Sequence, residues 1–317
     1  MSTLTHRSMN LLLVAPDFEN RELWSEAFLR LTPPVRLVAE GDIPDHEVAA
    51  VLVDSAPPLR LRRFPNLQVV FSLTAGVDTL LADPDLPDVP IVRLVPADTA
   101  ALMKEYVVYQ ALRLHRGFAN FERLQREHRW VWPAPSVSAA SRRLSVLGLG
   151  QVGMSVAEGL RDVGFQVAGW TRTPKDAPGI RCITGDAGLA ALLSDTDILV
   201  SVLPLTRSTR GLLCKDLFQR LPRGASIINV GRGGCLDEVD LLEALGSGHI
   251  AHATLDVFAR EPLQPESLLW DHPRVTITPH AAGYPAPQSM AALVAANVAR
   301  LTNGEAPLLA VDRARGY

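Results

Sequence analysis

The chain has 317 residues, too many for one compact core and enough for two domains of ordinary size. Hydrophobic residues make up 47% and charged residues 21%, the balance of a globular protein rather than a disordered or fibrous one. Lys and Arg total 31 against 34 Asp and Glu, a net charge of -3, which argues against the broad basic face that nucleic acid requires.

Short apolar runs alternate with amphipathic stretches, the pattern of α/β units around parallel sheets. The stretch through Val14 is too short an apolar run for a signal peptide. Leu11 to Ala15 reads as a strand and Asn20 to Leu31 as a helix. Val35 to Ala39, Ala50 to Val53 and Leu67 to Leu73 read as further strands, separated by turn clusters such as Ala56-Pro57-Pro58. Asp98 to Phe118 is a longer helical pattern, with Val107, Leu112 and Leu114 among its apolar positions and Gly117 near its end. Trp132 to Ser141, rich in Pro, Ser and Ala, reads as a loop. A strand restarts at Leu144 to Leu147. The helix after it, about Val152 to Val163, places Val152, Val156, Leu160 and Val163 on one face, with Gly164 positioned to end it. Strands follow at Phe165 to Gly169, Ile198 to Val202, Ser226 to Val230, Ala253 to Val257 and Val275 to Thr278. The last helix is Pro287 to Leu301. No segment approaches the ~20 apolar residues of a membrane helix. Cys182, Cys214 and Cys235 are the only cysteines and form no CxxC pair, so reduced thiols in a cytoplasmic protein are expected, with no metal site.

Gly148-Leu149-Gly150-Gln151-Val152-Gly153 matches GxGxxG. A plain glycine turn would match it too, but here a strand precedes the motif and an amphipathic helix begins inside it. Gly148 permits the tight turn, Gly150 lets backbone approach a pyrophosphate, and Gly153 allows close packing of helix on strand. An acid about 20 positions on would bind the ribose 2′-hydroxyl of NAD. The next strand instead runs into Thr171-Arg172-Thr173. A guanidinium can hold a 2′-phosphate that a carboxylate would repel, so NADP(H) is favoured, with NAD(H) the alternative. A solvated surface arginine is the plainer explanation of Arg172.

Arg232, Glu261 and His280 each follow an expected strand, and ligands of open α/β sheets lie outside the carboxyl ends of strands. A hydride reaching a carbonyl carbon makes an alkoxide unless a proton arrives, and histidine can supply it near neutral pH. The arginine fork suits a substrate carboxylate. Each residue also has an ordinary explanation: Arg232 lies between glycines, Glu261 precedes a proline, and one histidine of eight is commonly structural or solvated, as His252 is taken to be.

These segments together resemble the D-isomer-specific 2-hydroxyacid dehydrogenases. The resemblance rests on Gly148 to Gly153, Asn229 to Leu242, Leu255 to Leu263 and Thr278 to Gly283, in that order. Within the family it extends to the glyoxylate/hydroxypyruvate reductases through Trp170 to Thr173, Leu268 to Arg274 and Val311 to Tyr317. It implies two Rossmann-like doubly wound parallel-sheet domains, with a cofactor domain (105-284) inserted in a flavodoxin-like substrate domain (1-104 plus 285-317). The helical patterns Asp98–Phe118 and Pro287–Leu301 would make the crossings.

The resemblance implies that Arg232 holds the carboxylate and polarises the carbonyl, that His280 is the acid–base, and that Glu261 is its partner. The cofactor is expected on Gly148, Gly150, Gln151, Val152, Gly153, Thr171, Arg172, Thr173, Leu203, Pro204, Val230, Gly231 and Asp256. Backbone N–H groups of Ala75, Gly76 and Val77 would receive the substrate carboxylate, beside Arg232 and His280. The expected reaction is NAD(P)H-dependent reduction of a small 2-oxo acid, glyoxylate or hydroxypyruvate, by a homodimer. The rivals are a dehydrogenase of bulkier 2-oxo acids and a non-catalytic dinucleotide sensor. Asp54 and Ser55, where an aromatic residue is expected, and Gly283-Tyr284-Pro285 depart from the subgroup and bear on the substrate, not the reaction. Trp130 and Trp132 lie where some relatives send an aromatic residue into a partner's site; a packed loop tryptophan is the equal alternative.

Overall fold

The structure is a computed structural model and describes residues 9–14, 21–31, 35–53, 59–74, 76–134 and 137–313. Ala15, Asn20, the Asp54–Ser55 wall, the Ala56-Pro57-Pro58 turn, Ala75 and the end of the Val311–Tyr317 segment lie outside the described residues. In chain order the elements are β1 (Met9–Val14), α1 (Arg21–Leu29), β2 (Val35–Val38), β3 (Ala50–Val53), β4 (Val69–Ser72), α2 (Asp78–Leu81), β5 (Ile91–Arg93), α3 (Ala97–His115) and α4 (Phe118–Arg126). There follow β6 (Arg143–Leu147), α5 (Gln151–Val163), β7 (Gln166–Trp170), β8 (Ile180–Ile183), α6 (Gly185–Leu193), β9 (Ile198–Ser201), α7 (Lys215–Arg220) and β10 (Ala225–Asn229). The last are α8 (Glu238–Gly246), β11 (Ile250–Leu255), β12 (Val275–Ile277) and α9 (Pro287–Thr302). Contacts divide the chain into two compact units, Met1–Asp98 with Pro285–Tyr317, and Thr99–Tyr284.

The first unit holds a five-stranded parallel sheet in the order β2-β1-β3-β4-β5, the flavodoxin-like order. Alternation along β1 sends Leu11 and Leu13 to one face and Leu12 to the other. The Leu11 face packs against Trp24 and Phe28 of α1 and Met290, Ala291 and Val294 of α9. The Leu12 face is closed by Leu61, Phe64 and Leu80.

The second unit holds a seven-stranded parallel sheet in the order β12-β11-β10-β9-β6-β7-β8. Its central strands β6, β9 and β10 are almost wholly buried, while the edge strands β8 and β12 are only partly so. Leu144, Val146, Val200 and Ile228 face α3 and α5, while Leu147, Leu199, Ile227 and Leu255 face the cluster that includes Leu193, Phe218 and Leu245. The chain passes from β6 to β7 in one direction and returns to β9 on the other side of β6, so the sheet reverses at β6.

The strand and helix ends differ from the sequence expectations by a few residues, and some elements are new. The long helical pattern stops at His115, and Gly117, in the left-handed conformation at φ 67°, begins the separate helix α4. The buried face of α5 is Gly153, Val156, Ala157, Gly159 and Leu160, while Val163 is exposed in the last turn. The short strands β5 and β8 are too brief to show a period of their own.

His252 sits in a polar tie between the sheet and two helices. Its Nε2 lies 2.9 Å from Thr276 Oγ1, which also accepts from Arg113 of α3 at 2.9 Å. Arg113 in turn grips Glu122 of α4 through two hydrogen bonds, at 3.1 and 2.5 Å. Burial, and then the positive charges of Arg113, His272 and Arg274, push the His252 imidazole down to about 4, with Glu122 opposing them. An imidazole depressed in the folded state and near 6.5 in the unfolded chain is a liability only as pH falls. Between those values the unfolded chain takes up a proton that the folded chain refuses. Stability is therefore expected to decline from about pH 6.5 to about pH 4 with a contribution of up to about 1.4 kcal/mol per pH unit. Urea melts across that range should show a shallower decline in His252→Asn.

Candidate active site

One register row organises the larger sheet. Ile183, Trp170, Leu147, Ser201, Asn229, Leu255 and Ile277 are successive partners across β8, β7, β6, β9, β10, β11 and β12. Each strand ends at or next to this row, so the residues that follow come out side by side at the carboxyl edge. After Leu147 comes the glycine loop; after Trp170, Thr171 to Thr173; after Ser201, Leu203 and Pro204. After Asn229 come Val230, Gly231 and Arg232; after Leu255, Asp256; after Ile277, His280.

The glycine loop lies at the reversal point of the sheet. Gly148 has φ 98°, and its N–H donates to Trp170 O at 2.9 Å. A Cβ on Gly153 would fall 1.8 Å from Gly148 O, so only glycine lets the first turn of α5 lie this close to the loop. Above Gly150, the N-cap of α5, a Cβ would meet nothing within 4 Å. A helix N-terminus with open space over its first amides fits a pyrophosphate, and the Gly148–Gly153 loop with Gln151 and Val152 would hold it.

Thr171 is buried and Arg172 and Thr173 are exposed at the end of β7. Lys175, absent from the sequence reading, donates from Nζ to Leu149 O and lies between this segment and the glycine loop. Leu203 and Val230 are buried beside the loop, and Pro204 O accepts from Thr209 Oγ1 at 2.6 Å.

The loops after β10 and β11 interlock. A Cβ on Gly233 would lie 1.8 Å from the backbone carbon of Phe258. Glu238, at the start of α8, accepts from Ala259 N at 3.0 Å, and the N-cap Asp237 accepts from Val239 N and Asp240 N. Arg232, half-buried, donates from Nη1 to Gly231 O at 2.8 Å.

His280 Nδ1 lies 2.8 Å from Glu261 Oε2, and Glu261 Oε1 accepts from Phe258 N at 2.9 Å. The side chains of His280 and Glu261 are 43% and 38% exposed, so the pair is open to a ligand. Partial burial would raise the Glu261 carboxyl. The hydrogen bonds from His280 and Phe258, with the charges of His280 and Arg232, outweigh burial and hold it below the ordinary value. A carboxylate on Nδ1 leaves Nε2 as the nitrogen that exchanges a proton with a ligand.

Asp256 is 1% exposed and accepts from Thr278 Oγ1 at 2.6 Å, Ala281 N at 2.8 Å and Ala282 N at 3.0 Å. In the first unit, Thr74 Oγ1 donates to Gly76 O at 2.7 Å after β4, and Val77 is buried. Among the described residues no group of three or more His, Cys, Asp or Glu is placed to hold a metal ion, and no helix is long and apolar enough to cross a membrane.

A doubly wound parallel sheet, a glycine loop at its reversal and a histidine–carboxylate pair on the same edge define a dinucleotide-dependent oxidoreductase. Residues 108–282 match the family model for the NAD binding domain of D-isomer specific 2-hydroxyacid dehydrogenases. A D-isomer specific 2-hydroxyacid dehydrogenase from Xanthobacter autotrophicus Py2, solved with NADPH and MES, superposes with a TM-score of 0.90 at 41% identity, over 98% of this chain and 100% of that one. The NADPH-dependent glyoxylate/hydroxypyruvate reductase of Sinorhizobium meliloti, with NADP and sulfate, gives 0.89 at 35% identity, over 98% and 100%. A probable 2-hydroxyacid dehydrogenase from Rhizobium etli CFN 42, with NADP, HEPES and L(+)-tartaric acid, gives 0.86 at 35% identity, again over 98% and 100%. The chain belongs to the D-isomer-specific 2-hydroxyacid dehydrogenase family, the NAD(P)-dependent oxidoreductases of 2-hydroxy acids.

The contact between Gly233 and Phe258 makes a direct test of the interlocked loops. Gly233→Ala is expected to lower stability by about 1–3 kcal/mol, because backbone must move to admit the methyl. Denaturant melts would show it, and a Gly234→Ala control, which faces only the flexible side chain of Leu205, should lose less.

Proposed function

We propose that this chain reduces a small 2-oxo acid, glyoxylate or hydroxypyruvate, to its 2-hydroxy acid with NADPH. The observation that carries the reading is the His280–Glu261 hydrogen bond on the edge that also bears Arg232 and the glycine loop. When bound, the cofactor supplies a hydride to C2 of the acid. Arg232 holds the carboxylate through its guanidinium fork and draws electron density toward the carbonyl oxygen. His280 delivers a proton to that oxygen from Nε2, while Glu261 orients the ring and balances the imidazolium charge. His280 then regains a proton from solvent.

NADPH over NADH is supported by Arg172 and by Lys175 nearby, two cations that precede the first carboxylate after β7, Asp176. The relatives crystallised with NADPH or NADP support the same preference. On this reading residues 105–284 are the cofactor domain, with Asp256 near its nicotinamide end, and residues 1–104 with 285–317 the substrate domain. The family resemblance assigns Ala75, Gly76 and Val77 of that domain to the acid's carboxylate. The cysteines Cys182, Cys214 and Cys235 are free, which agrees with a cytoplasmic location. The exposed Trp130 and Trp132, with ring centroids 5.7 Å apart, agree with a homodimer.

The test follows NADPH and NADH oxidation with glyoxylate, hydroxypyruvate, pyruvate and a bulky 2-oxo acid. Fast NADPH oxidation with glyoxylate or hydroxypyruvate is expected. Arg232→Ala and His280→Ala should each lower turnover by about 10²- to 10⁴-fold with NADPH binding intact. Full activity in both variants refutes the site. Activity only with the bulky acid moves the substrate and keeps the chemistry, and binding without turnover of any acid points to the sensor. Arg172→Asp is expected to shift the NADPH/NADH preference toward NADH by about tenfold or more, read from the two kcat/KM values.

A further inference from the structure

His280 is the residue of the proposed pair whose backbone is under strain. Its φ is 53°, in the left-handed region that a non-glycine residue keeps only if its surroundings hold it. The holder is Asp256. Its main-chain oxygen accepts from His280 N at 2.8 Å, its Oδ1 from Ala281 N at 2.8 Å and its Oδ2 from Ala282 N at 3.0 Å. One aspartate thus receives three successive amides of the turn. The carboxylate must itself be kept in one rotamer for this to work.

The rotamer is fixed from outside the turn. Thr278 Oγ1 donates to Asp256 Oδ1 at 2.6 Å, which uses the only hydroxyl hydrogen that Thr278 has. The 2.6 Å contact between Thr278 Oγ1 and Tyr106 Oη must therefore be donated by Tyr106. Burial, the largest effect, and the nearby Asp256 charge push the Tyr106 phenol up to about 12 against the Thr278, Gln110 and Arg113 contributions, so it keeps its hydrogen. Tyr106 lies within α3, whose Met103 and Val107 are buried against β6 and α5. The far end of the turn meets the same helix: a Cβ on Gly283 would fall 2.7 Å from Met103 Cγ.

We propose that Tyr106 and Thr278 are positioning residues for the proton donor, locking Asp256 so that it holds His280 in the left-handed conformation that meets Glu261. The inference rests on the proposed role of His280. Neither hydroxyl is assigned contact with substrate or cofactor; Asp256 is assigned to the nicotinamide end, so an effect carried through the cofactor would move NADPH Kd, whereas one carried through the His280 turn leaves it unchanged.

The experiment measures kcat, KM and NADPH Kd for Thr278→Val, Thr278→Ser, Tyr106→Phe and His280→Ala. Thr278→Val is expected to lose about tenfold or more in kcat, as a sub-ångström misplacement of an acid does, with KM and NADPH Kd within about twofold of the parent. Thr278→Ser should recover most of that loss, and Tyr106→Phe should lose about threefold or more. Adding Thr278→Val to His280→Ala should cost nothing further, because a residue acting through His280 has no effect once the imidazole is gone. Parental kcat in Tyr106→Phe and Thr278→Val, or additive losses in the double variant, overturns the inference. If Thr278→Val fails to fold, Tyr106→Phe and Thr278→Ser decide it. Parental turnover in His280→Ala instead refutes the underlying assignment of the proton donor.

Discussion

The parallel register of the larger sheet is the constraint on which the candidate site depends. Strands β8, β7, β6, β9, β10, β11 and β12 share one row of partners, from Ile183 through Leu147 to Ile277. Residues distant in sequence, such as Gly148, Arg232 and His280, therefore leave the sheet along one edge. Side chains alternate with a period of two, so a slip of one residue would exchange the two hydrophobic faces as well as displace a loop. The same burial that stabilises the sheet thus fixes where the chemistry-bearing residues emerge.

Beyond the row, the loops are held mainly by carboxylates accepting backbone N–H groups. Asp256 holds the His280 turn, Glu261 takes Phe258 N, Glu238 takes Ala259 N, and Asp237 caps α8. Bonds of this kind are charge-assisted and stronger than neutral ones, and they orient a loop that has no ladder to pair with. They let irregular backbone keep a defined shape beside an open edge. The Gly233–Phe258 contact adds a purely steric element, since neither loop can shift toward the other.

The legible part of the fold is the part carried by buried apolar runs and by glycines. The strands β6, β9, β10 and β11 are largely buried segments rich in aliphatic residues, Gly148 and Gly164 mark positive-φ positions, and Gly153 marks a close approach of α5 to the loop. Helix α4 is missed because Phe118–Arg126 is mostly polar and follows α3 with only a short turn. Strand β8, Ile180–Ile183, is missed because four residues with an arginine and a cysteine carry little signal. The candidate residues after strand ends can be read from their types and flanks. Lys175, Glu238 and the Tyr106–Thr278–Asp256 chain cannot, because their meaning lies in hydrogen bonds between segments far apart in sequence. His252 reads in sequence as structural or solvated, and its place between Thr276 and the Arg113–Glu122 pair makes it structural.

The two compact units differ in how they are drawn from the chain. The second is one continuous run, Thr99–Tyr284, whereas the first is assembled from both ends. One face of its sheet needs Met290, Ala291 and Val294 of α9, and Val92 of β5 bridges to Ala310. A ribosome delivers these segments in order, from the N-terminus onward. The apolar face made of Leu11, Leu37, Leu52 and Phe71 is therefore synthesised early and covered late. The nascent protein carries it, screened among the described residues by α1, through the whole time in which the inserted unit is made and can fold.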